Sequence, residues 1–243
     1  MTGSDTPASF RLGYVPGVTP AKWIRTWQER LPEVPLHLQS LSPTEAAEAV
    51  RAREVDAALL RLPIDRTDLH AIPLYTENTV VVLPKDHPLT EGAEITAAEL
   101  ADLLVLHALD DSLDWTAPPG QPAKERPETT ADAIQLVAAG VGLLIVPQSL
   151  ARLHHRKDLA FRTLADAPVS QVALSWREDA GTELTEQFIG IVRGRTVNST
   201  RGAGTPAPAP APAPAKAKKP APARNQKRAA APTGRGRKPR RGR

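Results

Sequence analysis

The sequence predicts an α/β fold in which helices cover the faces of a β-sheet. Residues 10–62 alternate strand-like and helix-like segments in the order β-α-β-α-β, which is typical of parallel strands joined by crossover helices. The apolar stretch "LVAAGVGLLIVP" contains Gly140 and Gly142, which fits a helix that ends abruptly before a strand. Cysteine is absent, so neither a disulfide framework nor a thiolate metal site supports the fold.

The first half of the chain supplies three strands and two helices. The strands are predicted at 10–15, 34–41 and 55–62, and the helices fall between them. Thr19 can cap the first helix and Pro20 suits its first position. The apolar face of that helix consists of Trp23, Ile24, Trp27 and Leu31. Ser42 can cap the second helix, with Pro43 directly after it.

The second half continues the alternation from an apolar strand predicted within 78–89. Thr96 and Glu99 form a capping-box pattern that begins a short helix before a strand at 103–107. A helix over 131–139 is predicted to end at Gly140, because glycine adopts the left-handed conformation at low cost, and Gly142 then allows the turn into "LLIVP". The remaining predicted elements are a helix in "QSLARLHH", a strand at 170–178 and an amphipathic helix in "ELTEQFIGIVRG".

Charge is distributed unevenly along the chain. The 243 residues have a net charge of +4, but residues 201–243 hold 13 of the 31 Lys and Arg and no acid, which leaves a net charge of −9 for residues 1–200. Residues 1–9 and the Pro- and Ala-rich segment 196–243 are predicted to be disordered, because they have too few large apolar residues to form a core. Neither a secretion signal nor a membrane-length apolar run is found, so we expect a cytoplasmic protein.

Three motifs connect the chain to a known family. They are "REVDAALLRL" with Asp56, "VLPKDHPL" at 82–89, and "LVAAGVGLLIVPQSLA" starting at Leu136. Their order and spacing resemble the effector-binding, or substrate-binding, domain of LysR-type transcriptional regulators over residues 10–195. The resemblance implies a two-lobed α/β fold like that of type II periplasmic binding proteins. It also implies a small effector bound in the cleft between the lobes.

The resemblance further implies how the lobes divide. Lobe one is expected to comprise 10–83 and 170–195, and lobe two 84–169, with crossings near Leu83 and Val169. The family's helix-turn-helix domain normally precedes this domain. Only about nine residues do so here, so we do not expect operator recognition of that kind. Related domains associate side by side, through a helix of one lobe and a strand of another, and a homodimer is therefore expected.

A ligand is expected where strand ends meet helix starts, because backbone amides and the helix dipole favour an anion there. The hydroxyl residues at these places can equally be ordinary helix caps, and a strand-end histidine can simply be partly exposed. The candidates for binding a small organic anion are Val18, Thr19, Ser42, Pro43, Arg61, His107, Thr129 and Thr130.

Arg61 is the sharpest candidate, because it ends an otherwise apolar strand and its planar guanidinium can hold a carboxylate through two bonds. In aromatic-acid-responsive members of the resembled family, an arginine at this strand end lies in the effector cleft. The alternatives are a salt bridge to a neighbour such as Asp65 or a solvated strand end. In the proline-rich loop 108–128, Trp115 either covers an aromatic ligand or anchors the loop.

Signals for catalysis, a metal or a cofactor are weak. Asp110, Asp111 and Asp114 lack the glycine-turned pattern of a calcium loop, so a solvated acidic loop is the simpler interpretation. The adjacent His154 and His155 would point apart on a helix. We therefore expect a non-enzymatic binding domain without metal or cofactor. Two alternatives stay open: an enzyme acting on a small carboxylic acid on the same fold, and a DNA-associated protein without a ligand.

The basic C-terminus suggests a second function. "GRGRKPRRGR" at 234–243 resembles an AT-hook, whose Arg-Gly-Arg-Pro core lies in the narrow minor groove of A·T-rich DNA, although a lysine interrupts that core here. The alternatives are a polycation that binds phosphates without specificity and a tail that folds back on the acidic domain. The predicted nucleic-acid contacts are Arg235, Arg237, Lys238, Arg240, Arg241 and Arg243.

Overall fold

Two β-sheets organise the protein, whose computed structural model describes residues 8–195. The first sheet contains β1 (Phe10–Tyr14), β2 (Leu36–Ser40), β3 (Ala57–Leu62), β4 (Leu69–Glu77) and β11 (Ser170–Arg177), in the order β2-β1-β3-β11-β4. The second contains β5 (Thr79–Pro84), β6 (Glu94–Ile95), β7 (Leu104–Leu106), β8 (Gln121–Pro122), β9 (Leu143–Pro147) and β10 (Leu159–Leu164), in the order β6-β10-β5-β9-β7-β8. The predicted α/β class is therefore confirmed.

Within residues 8–195, five α-helices pack on the two sheets and, with them, form the two lobes. Lobe one consists of the first sheet with α1 (Ala21–Arg30), α2 (Ala46–Arg51) and α5 (Glu183–Val192). Lobe two consists of the second sheet with α3 (Thr130–Ala138) and α4 (Gln148–Leu153). No helix within residues 8–195 has the length and apolar character needed to cross a membrane.

The sheets are mixed, not purely parallel. In lobe one, β1 pairs in parallel with β2 and β3, as the β-α-β-α-β order predicts. However, β11 pairs antiparallel with both β3 and β4. In lobe two, β5 runs antiparallel to β9 and β10. The reversed strands are those next to the two crossings between the sheets.

The crossings lie at Asn78 and between Leu164 and Ser170. The crossing expected near Leu83 is wrong by several residues, because Thr79–Pro84 already pair with the second sheet. Lobe two thus begins at Thr79 and not at residue 84. The Thr79 hydroxyl donates a hydrogen bond to the carbonyl of Pro168, so the two crossings are fastened to each other.

Each lobe has its own apolar core. In lobe one, Phe10, Trp27 and Phe188 pack their rings together, with the Phe10 centroid 4.9 Å from that of Trp27 and 5.2 Å from that of Phe188. In lobe two, alternate residues of β5 face opposite sides of the sheet. Val80 and Val82 pack in the cluster that contains residues of α3 and α4, and Val81 and Leu83 pack in a second cluster on the other face.

The helix boundaries bear out some sequence signals and overturn others. Gly140 has φ +75° after the end of α3, as predicted, and a side chain at Gly142 would lie 2.8 Å from the Leu104 carbonyl oxygen. Thr19 does not cap α1, because Pro20 occupies the cap position and no side chain bonds there. Ser42 does not cap α2 either; its hydroxyl accepts from the Glu45 amide in the turn before that helix.

Candidate functional site

A cleft of about 940 Å³ lies between the two lobes. We call it the interlobe cleft. Lobe one contributes the loop after β1 together with residues of α1, β2 and β4, and lobe two contributes α4. The lining residues are Tyr14, Pro16, Gly17, Val18, Thr19, Lys22, Trp23, Ser40, Tyr75, Thr76, Glu77, Asn78, Gln148, Ser149, Arg152 and Leu153.

Arg61 lies at the back of this cleft and joins the lobes. Its side chain is 1% exposed, and its Nη2 donates to Ser149 Oγ at 2.9 Å and to Glu77 Oε2 at 3.3 Å. Ser149 Oγ in turn donates to the same Glu77 oxygen at 2.9 Å. We call Arg61, Glu77 and Ser149 the interlobe latch, because Arg61 and Glu77 belong to lobe one and Ser149 to lobe two.

Backbone geometry in lobe one makes the latch possible. Arg61 Nη1 donates to the carbonyl of Pro16 at 2.8 Å, which fixes the guanidinium behind the loop that follows β1. Gly17, in that loop, has φ +82°. A side chain at Gly17 would place its first carbon 2.6 Å from Ser149 Oγ and 2.9 Å from Arg61 Nη2. Glycine is therefore required there for both the backbone conformation and the approach of the lobes.

The structure bears out the alternative that Arg61 forms a salt bridge within the protein, with Glu77 as the partner. Asp65, the example named for that alternative, pairs with Arg51 at 3.4 Å instead. The Nε atom of Arg61 is buried and has no hydrogen-bond partner among the described residues. The guanidinium charge is balanced by the Glu77 carboxylate, and its Nε–H is a buried donor that no described residue satisfies.

The cleft walls carry two more cations and several aromatic rings. Lys22 Nζ lies 5.4 Å from the centre of the Trp23 ring, within the range of a cation–π interaction. Neither Lys22 nor Arg152 forms an ion pair with any residue in 8–195. Burial and the nearby Glu77 carboxylate raise the pKa of Tyr75, which keeps its phenol a hydrogen-bond donor.

The structure brings together only part of the predicted site. Val18 and Thr19 line the interlobe cleft, with Arg61 directly behind them. Ser42 and Pro43 do not line it, and the Ser42 hydroxyl bonds to Glu45 Oε2 at 2.7 Å.

The lobe-two candidates lie outside the cleft lining. Thr129 caps α3 by accepting from the Asp132 amide at 3.1 Å, and the Thr130 hydroxyl donates to Asp110 at 2.8 Å. The carbonyl of His107 accepts from Arg126 at 3.0 Å, and burial, with a smaller effect of Arg126, lowers the pKa of the His107 imidazole. Trp115 packs against the lobe-two core, as a loop anchor would.

The lobe-two wall that the sequence reasoning missed is α4. Gln148 and Ser149 directly follow β9, and Arg152 and Leu153 lie one turn further on. The sequence does contain a signal for Gln148 and Ser149, because they directly follow the strand "LLIVP" and ligands tend to bind beyond strand ends.

The acidic loop and the paired histidines do not form a metal site. Asp111 Oδ1 accepts from the Leu113 amide at 2.9 Å, and burial raises the pKa of its carboxyl. His154 follows the last residue of α4, so the helical geometry that would separate it from His155 does not apply, and both line a smaller pocket of about 230 Å³. Residues 8–195 contain no group of three or more His, Cys, Asp or Glu that could hold a metal ion.

The predicted nucleic-acid contacts at 235–243 lie outside the described residues, so the structure does not bear on them.

Comparison with known proteins identifies one family. Residues 7–196 match the model of the LysR substrate binding domain. A "Probable hydrogen peroxide-inducible genes activator" from Mycobacterium avium is 30% identical over 214 residues, which are 81% of this chain and 68% of the relative. The "Hca operon transcriptional activator HcaR" of Escherichia coli is 28% identical over 204 residues, 78% of this chain and 68% of the relative. The chain thus spans about two thirds of the length of these curated relatives.

Solved structures share the fold. A mutant OxyR regulatory domain from Pseudomonas aeruginosa superposes with a TM-score of 0.61 at 22% identity, over 77% of this chain and 95% of that one. A structure described as "BenM effector binding domain with its effector benzoate" gives a TM-score of 0.63 at 19% identity, over 77% of this chain and 91% of that one. The expected two-lobed fold is confirmed. The expectation of a domain that is not an enzyme is also confirmed, because the curated relatives are transcriptional regulators.

Proposed function

The chain belongs to the LysR substrate-binding-domain family, and we propose that it is a regulatory sensor that binds a small organic anion in the interlobe cleft. The positive charge of the cleft is the observation that supports an anionic ligand. Residues 8–195 contain 26 Asp and Glu against 18 Lys and Arg, yet the cleft walls carry Lys22 and Arg152 without carboxylate partners. A positive cleft in an acidic domain attracts small anions selectively.

The ligand would be held by residues of both lobes. Thr19 and Lys22 lie on the lobe-one wall, and Gln148 and Arg152 lie on the lobe-two wall. Arg61 does not line the cleft itself and supports the site from behind, through its bond to the carbonyl of Pro16. The benzoate named for the BenM domain is a ligand of this chemical class, although at 19% identity that likeness extends to the fold alone.

Ligand binding would act on the relation between the lobes. A ligand that contacts both walls stabilises the arrangement in which the walls are close, in proportion to its preference for that arrangement. The interlobe latch supplies a contact between the lobes before any ligand arrives. The ligand therefore adjusts the strength of an existing contact, and α4 transmits the change because it carries both Ser149 and Arg152.

Thermal unfolding with a panel of acids tests this function. Carboxylates and their neutral amides would be compared at the same concentration in moderate salt. A ligand at a hundred times its dissociation constant adds about 2.7 kcal/mol to the free energy of unfolding, which raises the melting temperature of a domain this size by several degrees. If no acid in the panel raises the melting temperature more than its amide does, the anion-sensor function is wrong.

Two further properties are proposed for the whole chain. The first is a homodimer, in which the exposed edge strand β2 of one copy would pack against lobe two of the other. The partner surface on lobe two would be an apolar patch of Leu104, Leu136 and Val141. Because Leu136 belongs to α3, the contact would join a strand and a helix, as the family resemblance implied. The basic segment after residue 200 would contact nucleic acid through counterion release, with or without reading the minor groove. A cytoplasmic location also stays a prediction.

Removal of residues 201–243 tests the nucleic-acid contact. Because this segment holds 13 basic residues and no acid, the truncated chain should lose most of its retention on DNA at low salt. The intact chain should lose its retention steeply as salt rises. Equal retention of the two chains at low salt would show that the tail does not bind DNA.

A further inference from the structure

We propose that the ligand of the interlobe cleft is a small dicarboxylate, with one acid group bound by each lobe and an apolar body between them. The proposal rests on the function proposed above and narrows its ligand class. Three properties of the cleft lead to it: the number of positive charges without carboxylate partners, their placement on opposite walls, and the apolar side chains in the lining.

The number of spare charges comes from the described ion pairs. Glu77 supplies the one carboxylate among the cleft-lining residues in 8–195, and its Oε2 already accepts from Arg61 and Ser149. Lys22 and Arg152 are left without a carboxylate in the described part of the chain. A ligand with two negative charges can pair with both of these exposed cations, whereas a monoanion can pair with one of them.

The placement of the two cations separates the two acid groups. Lys22 belongs to α1 of lobe one, where its ammonium lies above the Trp23 ring, and Arg152 belongs to α4 of lobe two. A single carboxylate bound to one wall would not use the other. One acid group for each wall lets the ligand connect the lobes directly, which is the contact that regulation of the cleft requires.

Apolar side chains line part of the cleft, beside polar ones. Leu153 is 55% exposed on the lobe-two wall, and Tyr75 is 37% exposed at the end of β4. Trp23 adds an indole that lines the cleft. Exposed large apolar side chains inside a cleft are covered when a hydrocarbon or aromatic body binds there, at roughly 25 cal/mol for each Å² removed from water.

The charged side chains of the cleft disfavour a zwitterion such as a free amino acid. An ammonium group on the ligand would need a carboxylate in the cleft, and the charge of Glu77, the one carboxylate among the lining residues in 8–195, is already balanced by Arg61. It would also lie in the field of Lys22, Arg152 and Arg61. The charge of the cleft therefore selects a ligand that is acidic at both ends.

The experiment measures the affinity of the full chain for matched acids by titration calorimetry. The diacids succinate, glutarate, adipate, pimelate and suberate would be compared with hexanoate and with hexanamide. The variants are Lys22→Gln, Arg152→Gln and, as the control, Lys124→Gln, which removes one exposed charge outside the cleft. All variants keep the basic C-terminal segment, so its nonspecific attraction for anions is the same in each.

We expect the best diacid to bind at least about tenfold more tightly than hexanoate. Lys22→Gln and Arg152→Gln should each weaken the best diacid about three- to tenfold. For hexanoate, one of these two variants should weaken binding and the other should leave it unchanged, because a single carboxylate uses one wall. Lys124→Gln should change neither ligand.

The outcomes separate the two proposals. If hexanoate binds as well as every diacid, the cleft takes a monoacid, and the dicarboxylate assignment is overturned while the anion sensor stands. If the best diacid is unaffected by Lys22→Gln or by Arg152→Gln, its acid groups are not divided between the lobes, and the assignment is likewise overturned. If none of these acids binds to the unmodified chain, the dicarboxylate assignment is overturned, and the thermal panel of carboxylates and amides decides separately whether the anion sensor stands.

Discussion

At the scale of single residues, Arg61 illustrates what the sequence can and cannot predict. An arginine at the end of an apolar strand is expected to need a negative partner, and the resemblance placed a ligand there. The structure supplies a carboxylate from the protein itself, Glu77, 16 residues away on β4. No local pattern predicted β4, and Ser149 approaches from the other lobe. The environment of Arg61 therefore depends on tertiary contacts that spacing along the chain does not encode.

The first prediction concerns Ser149→Ala. This change removes the one latch residue that lobe two contributes and leaves the Arg61–Glu77 pair intact. Loss of its hydrogen bonds should cost about 1–2 kcal/mol of unfolding free energy. It should also increase the average separation of the lobes, measured as a larger radius of gyration by small-angle scattering. Ser40→Ala, a cleft serine outside the latch, is the control and should leave both quantities unchanged.

Glu77→Ala gives a second prediction at this scale. The Arg61 side chain is 1% exposed, so removal of its carboxylate leaves a buried charge without a counter-ion. Breaking a buried ion pair in this way typically costs about 3–5 kcal/mol. We expect denaturant unfolding to reveal a loss near that range, well above the loss for Ser149→Ala. A loss no larger than that of Ser149→Ala would mean that Arg61 gains its stabilisation elsewhere.

His107 makes the stability of the fold depend on pH. Burial lowers the pKa of its imidazole in the folded state, so the unfolded state binds a proton more readily. The stabilisation is present above the unfolded pKa of about 6.5 and is lost as pH falls through that value towards the folded pKa. Melting temperatures measured on either side of this window should fall less for His107→Gln than for the unmodified chain, and identical slopes would contradict the prediction.

At the scale of elements, local signals predicted helix ends well where a side chain or a glycine determines the end. Thr129 caps α3, and Gly140 ends it at φ +75°. Prediction failed for β4 and β10, because neither is a continuous apolar run. Only Leu69 and Ala71 of β4 are buried and the strand includes Pro73, while five of the six residues of β10 are only partly buried.

Thr129→Ala tests the cap of α3. The mutation removes the hydroxyl that accepts from the Asp132 amide, and losses of this kind usually cost about 0.5–2 kcal/mol. The change should lower stability and leave ligand affinity intact, since Thr129 does not line the interlobe cleft. Chemical unfolding and calorimetry on the same sample measure both. Thr116→Ala, in an exposed loop, controls for the loss of a threonine as such.

At the scale of the whole molecule, the LysR-type resemblance predicted the two lobes correctly. The residue at which lobe two begins could be determined only from the pairing of β5 with strands of the second sheet.

The proposed homodimer can be tested by mutating the two surfaces that would meet. Leu38 on β2 is 46% exposed, and the proposed partner patch includes Leu136. Leu38→Glu and Leu136→Glu should each convert the dimer to a monomer in light-scattering measurements. Leu109→Glu, at an exposed leucine outside both surfaces, should not. A monomeric unmodified chain would refute the dimer.

The bond between Thr79 and Pro168 restricts how one half of the molecule can travel relative to the other. With both connecting segments held side by side, we expect the halves to rotate about a common axis and not to slide past each other. Compounds of different shape lodged between them would then produce the same kind of displacement and differ only in its extent. The size of the displacement would then depend on how tightly a compound binds and only weakly on which compound it is.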